Sequence, residues 1–274
     1  MNSRMYHAGA SRAFSLVELS IVLVILGLLT GGILAGQSLI RAAELRAVTT
    51  EYTRYKTAIG AFRDKYFAIP GDFNNAQAFW SAAAACPGIS TTAAGGTCNG
   101  DGDGQISPSA TNANEVFRFW QHLALGGLIE GNYTGTSADT TATNVTATFG
   151  TNEPRSRMNG GGWAAYSLGN VGVSSAAWFD ASYGNIFFFG ASGGANGFPT
   201  AVILKPEEAW NIDTKMDDGK PATGIILTAE AQAGSSSTTG CSDTASSTTV
   251  SMAPSNYSLG NSALACSLLF KTGY

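Results

Sequence analysis

Hydrophobic and polar positions follow three regimes along this chain. From Phe14 to Ala35 the sequence "FSLVELSIVLVILGLLTGGILA" is apolar on every helical face, with Glu18 the one charge inside it. As a helix this run would rise about 33 Å, enough to cross the hydrocarbon core of a bilayer. Next, Leu45, Val48, Tyr52, Tyr55, Ile59, Phe62 and Tyr66 recur at steps of three and four. Arg46, Glu51, Arg54, Lys56, Arg63 and Asp64 fall between them, which predicts an amphipathic continuation of the same helix. "IPGD" at 69–72 should end it, giving one helix of roughly 80 Å from Phe14 to Phe67.

Beyond residue 71 the periods shorten. "FNNAQAFWSAAAA" reads as a short helix, and "NEVFRFWQHLALGGLIEG" as a second, capped by Asn114 and ended at Gly126–Gly127. Pro206 suits the first turn of a third, with Glu207 and Glu208 at its positive end. Strands are predicted at "WAAYSLG", "WFDASYGNIFFFG", "TAVIL", "TGIILTA" and "LACSLLF", separated by Thr/Gly/Ser-rich loops. The fold class is therefore α+β: a long N-terminal helix, half membrane-like and half amphipathic, packed on a globular head with an antiparallel sheet.

Composition narrows the setting. Of 274 residues only 12% are charged and 34 are glycine, an extracellular-looking balance. The net charge of -4 gives no basic face for a nucleic-acid partner. Cys86, Cys98, Cys241 and Cys266 lack CxxC spacing and a histidine cluster, which disfavours zinc. Nearest-neighbour pairing gives Cys86–Cys98 and Cys241–Cys266, one of the three connectivities four cysteines allow, in an oxidising compartment.

Glu18 decides how the N-terminal segment is read. A plain signal peptide has a shorter apolar run. The "ILAGQ" stretch has Gln37 where a lipoprotein needs its cysteine. A plain anchor leaves a costly carboxylate unexplained. The stretch "RAFSLVEL", however, resembles the processing site of type IV prepilins and type II secretion pseudopilins: a short basic leader, a small residue, Phe, four apolar or hydroxyl residues, then Glu. The family usually has Gly before the cut, and Ala13 departs from that.

That resemblance implies a pilin-like fold and a division into a leader (1–13), a transmembrane and assembly helix (14–37), its amphipathic continuation (38–70) and a head (71–274). It implies that prepilin peptidase cuts between Ala13 and Phe14 and methylates the new amino group. Glu18 would then meet the Phe14 ammonium of a neighbouring subunit and set the stagger of packed helices. The implied partners are the peptidase, other pilin or pseudopilin subunits, inner-membrane assembly machinery and membrane lipid. The implied location is the bacterial inner membrane with a periplasmic head, then a filament. The size of the head suggests a minor or specialised subunit. A reading from another class is a membrane-tethered extracellular ligand-binding or enzymatic domain that borrows the anchor.

Two acidic motifs are candidates for chemistry. In "CNGDGDGQI", Asn99, Asp101 and Asp103 alternate before Gly104, as at the start of an EF-hand-like calcium loop. The twelfth position falls on Ala110, and Glu115 lies farther on. A plain Asn/Asp/Gly turn explains the same residues. In "KPEEAWNIDTKMDDGKPATG", Asp213, Asp217 and Asp218 crowd a helix C-terminus, where the dipole disfavours them. Lys215, backbone N–H groups of the turn, or a cation should offset this. Calcium is thus a candidate but not a required cofactor, shared between both motifs in the bolder form. No enzyme is expected: His122 reads as a packed or capping residue, and "GASGGANG" lacks phosphate-loop spacing.

Overall fold

The computed structural model describes residues 15–83, 96–107, 115–136, 146–171, 179, 181–193, 198–228, 240–243 and 255–274. The chain divides into two compact units at Ala43/Glu44, within the helix α1 (Leu16–Tyr66). The first unit contributes the apolar half of α1, long and apolar enough to cross a membrane. Its large side chains, from Leu16 to Ile40, are all at least half exposed.

In the second unit, the stripe on α1 becomes core. Val48, Tyr52, Tyr55, Ile59 and Phe62 are buried, with Leu45 and Tyr66 packed at the edges. The helix stops one turn before Pro70. Phe67 takes a left-handed φ of 54° and donates its N–H to the Arg63 carbonyl, closing the last turn. The second helix is short, α2 (Ala76–Phe79); α3 covers Glu115–Leu125, and its predicted cap Asn114 lies outside the described residues. Past α3, Gly127 (φ 73°) donates to Ala124 and Leu128 to Leu123, so the Gly–Gly pair closes the helix by pairing its last carbonyls.

Four strands follow: β1 (Gly161–Val171), β2 (Ala181–Ala191), β3 (Ile226–Thr228) and β4 (Leu268–Lys271). They form an antiparallel sheet in the order β1-β2-β4-β3. Alternation along the strands splits their side chains between two layers. Trp163, Phe187, Phe189, Ile226 and Phe270 join the main core with α1 and α3. Ala164, Ile186, Phe188, Leu227 and Leu269 form a second cluster with Tyr183. Tyr52 stacks on Phe270 at 4.7 Å, and Tyr55 meets the edge of Trp120 at 4.9 Å.

The "TAVIL" segment is not a strand. It makes single bridges from Ala201 to Ala191 and from Leu204 to Cys266, and Pro206 then opens helix α4 (Pro206–Met216). Proline cannot donate to a ladder, which limits pairing there. The α+β arrangement is thus present as a long helix with a small four-stranded sheet.

Candidate functional site

Three places bear on function: the start of α1 and two acidic loops. At the start of α1, Ala13 and Phe14 lie outside the described residues. Ser15 caps the helix: its hydroxyl accepts from the Val17 N–H at 3.3 Å. Glu18 reaches back to accept the Ser15 N–H on Oε2 at 2.9 Å. "SLVE" therefore caps its own helix from both ends of the first turn, a Ser-x-x-Glu signal visible in the sequence but read there only for its charge. The acidic side chain also complements the positive end of the helix.

The first acidic loop, 99–107, brings Asp101 and Asp103 together with Asp72 and Glu115. Asn99 stands at the head of this loop, where its side-chain oxygen accepts the Gln77 N–H at 2.9 Å, at the first turn of α2. Asp72 comes from the "IPGD" breaker, read in the sequence only as a stop. Its two oxygens accept the Gly102 N–H at 2.6 Å and the Gly104 N–H at 2.9 Å. Glu115, the first residue of α3, accepts from Asp101 at 3.1 Å and Ser107 at 3.0 Å. These buried carboxylates shape the loop from within, while the exposed Asp101 and Asp103 make local turns to Asp103 N–H and Gln105 N–H. Ala110 lies outside the described residues.

Close approach fixes this loop. The Gly100 N–H donates to the Phe73 carbonyl, and a Cβ at Gly100 would sit 2.4 Å from the Asp72 backbone. From the sheet, Asn185 accepts the Ile106 N–H at 3.1 Å and donates to the Gly104 carbonyl at 2.8 Å. Burial pushes Asp72 up to about 6 and Glu115 up to about 7; the backbone donors oppose this, and the neighbouring aspartates add to it.

The second acidic group, Asp213, Asp217 and Asp218, is separate from the first. Its charge is met by the donors of the turn. Asp213 accepts the Tyr257 hydroxyl at 2.7 Å and the Gly219 N–H at 3.1 Å. Asp217 accepts the Ile225 and Ile226 N–H groups. Asp218 accepts from Thr223 at 2.6 Å and from the Lys220 N–H at 2.9 Å. Asp213 is fully buried, which pushes it up to about 7, and the partnered Tyr257 is driven up by its own burial. Both groups offer oxygen ligands of the kind calcium takes, yet each is already threaded by N–H and O–H donors.

A disulfide joins Cys241 to Cys266. Cys86, expected to pair with Cys98, lies outside the described residues. His122 is fully buried: its Nδ1 accepts the Gly71 N–H at 3.0 Å, and Nε2 lies 3.0 Å from the Thr97 hydroxyl. Burial lowers its pKa to about 3, so it is neutral. The chain matches no family model, no curated protein and no solved structure.

Proposed function

We propose that the chain is a structural subunit, minor or specialised, of a type IV pilus or type II secretion pseudopilus. The observation that carries this reading is "RAFSLVEL" at the start of an exposed apolar helix long enough to span a membrane. In this reading prepilin peptidase cuts before Phe14 and methylates its amino group. The span holds the subunit in the inner membrane, and its exposed apolar side chains later pack against those of other subunits. The head is pilin-like and stands in the periplasm or on the filament.

Glu18 then has two jobs. Oε2 caps the helix through Ser15, and the charge pairs with the Phe14 ammonium of a neighbour. In a dry helical bundle a misregistered charge would be buried without a partner, so one such pair selects the stagger. Glu18→Gln separates the jobs, because glutamine keeps a capping oxygen and loses the charge. The expected result is normal membrane insertion and helix content with loss of filament assembly in cells. Wild-type filament yield from Glu18→Gln would remove the charge from the account.

A further inference from the structure

Arg118 on α3 is a buried cation without an anion. Its side chain is 2% exposed. One terminal nitrogen donates to Gln121 Oε1 at 2.8 Å and the other to Cys98 Sγ at 3.1 Å, while Nε has no acceptor. Among the described residues no carboxylate pairs with it. Glu115, one turn earlier on the helix, spends its oxygens on the Asp101 and Ser107 N–H groups. The guanidinium is nonetheless charged at neutral pH, since burial lowers it only to about 10. A buried charge is costly until a counter-ion meets it.

The sulfur that Arg118 faces is held in place. Cys98 is fully buried and disulfide-bonded, in a bond separate from Cys241–Cys266. The preceding Thr97 N–H donates to the Ser81 carbonyl. The Thr97 hydroxyl reaches Gln121 Oε1 at 2.8 Å, the same oxygen that accepts from Arg118. Gln121 is itself anchored, donating to the carbonyls of Gly96 at 3.0 Å and Thr134 at 3.1 Å. It thereby fixes the sulfur and the guanidinium relative to each other.

A disulfide sulfur is a weak, uncharged acceptor, whereas a thiolate at the same place is the anion that Arg118 lacks. No Lys or Arg donates to Cys241 or Cys266 among the described residues. The two disulfides therefore differ in a feature that favours the thiolate, a cation in contact with it. We propose that Cys98 is a redox-active cysteine whose thiolate is held by Arg118, so that a dithiol reductant opens its disulfide while Cys241–Cys266 stays closed. A thiolate of the reductant bonds to the partner sulfur, because Cys98 Sγ is fully buried. The bond to Cys98 breaks, and its electron pair leaves on Cys98 Sγ beside Arg118. The second thiol of the reductant then displaces the partner cysteine. In balance the dithiol is oxidised to a disulfide and the chain gains two electrons. One proton ends on the partner thiol, and the other is released because Cys98 remains a thiolate. The proposal stands apart from the filament reading and does not depend on it.

The test equilibrates the full chain, in detergent, with graded ratios of reduced to oxidised dithiothreitol. Samples are quenched in acid, unfolded and alkylated, and each cysteine is scored by peptide mass, so burial does not bias the readout. The equilibrium constant for reduction at Cys98 should exceed that at Cys241–Cys266 by about tenfold or more, equivalent to about 30 mV. Arg118→Gln should lower the Cys98 constant by about tenfold and leave Cys241–Cys266 unchanged, and Arg118→Lys, which keeps the charge, should lower it less. A second readout needs no variant. Thiolate absorbance at 240 nm should show one cysteine of the reduced wild-type chain titrating below about pH 7, against an ordinary value of about 8.5. Circular dichroism confirms that each variant is folded. The proposal is overturned if both disulfides open together, if folded Arg118→Gln leaves the Cys98 constant unchanged, or if no thiolate of the reduced wild-type chain forms below about pH 8.

Discussion

The indole N–H of Trp163 on β1 donates to the Glu51 carboxylate of α1 across 2.7 Å. The same carboxylate accepts the Ser156 hydroxyl at 2.7 Å and the Arg157 N–H at 2.8 Å. One buried acidic side chain beside the apolar stripe, at a position the sequence pattern assigned to the polar face, therefore ties the helix to the entrance of the sheet through three donors. Removing it leaves those donors without an acceptor, at a cost of about 1–3 kcal/mol each where burial is kept. Glu51→Ala should lower stability by roughly 3 kcal/mol or more, and Glu51→Gln by less, since it keeps one oxygen. Urea unfolding of both variants checks this, and equal losses would show that the acceptor is not what matters.

Acidity should stabilise the second unit over a defined window. Asp72, Glu115 and Asp213 are raised from ordinary carboxyl values to about 6, 7 and 7, mainly by burial. A folded-state pKa above the unfolded one means the folded state holds its proton more tightly. That contribution is complete below about pH 4 and is lost as pH rises through about 7. The melting temperature should rise by a few degrees from pH 8 to pH 5, and Glu115→Gln should flatten the slope. A melting temperature that falls steadily across this interval would contradict the assigned burial.

Gly100 should tolerate no side chain. A methyl there would collide with the Asp72 Cα and the Gly71 carbonyl, both at 2.4 Å, and backbone atoms cannot turn aside. Gly100→Ala should cost about 1–3 kcal/mol and loosen the loop from Asp72, seen as faster amide exchange at Gly102 and Gly104. Gly36→Ala, with open space around it, serves as the matched control.

The Cys241–Cys266 bond closes a loop with a sequence separation of 25. Replacing both cysteines with serine should destabilise the chain by about 3 kcal/mol, read as a lower denaturant midpoint with a steeper slope, because the uncrosslinked denatured chain exposes more surface.

Much of this fold was legible because its signals are local. The stripe from Leu45 to Tyr66 keeps helical spacing, and its central members are buried as that spacing requires. The Gly126–Gly127 stop and the Pro206 start rest on backbone chemistry that neighbours do not override. The site was less legible because its parts meet across long separations. Asp72 was visible only as part of a helix stop, yet it organises glycines 30 and 32 residues on. Asn99 was legible for its spacing within the loop, while its contact with the Gln77 N–H at the start of α2 spans 22 residues of sequence. The capping role of Glu18 is a local Ser-x-x-Glu signal, but a lone carboxylate in an apolar run carries a charge signal at the same position.

The proposed function stands or falls on maturation at Ala13/Phe14. The most direct measurement is intact-mass and N-terminal peptide analysis of the protein purified from membranes of cells that contain prepilin peptidase. The expected result is a chain that begins at Phe14 and carries one added methyl group on its amino terminus. A chain that still begins at Met1 in those cells would contradict it.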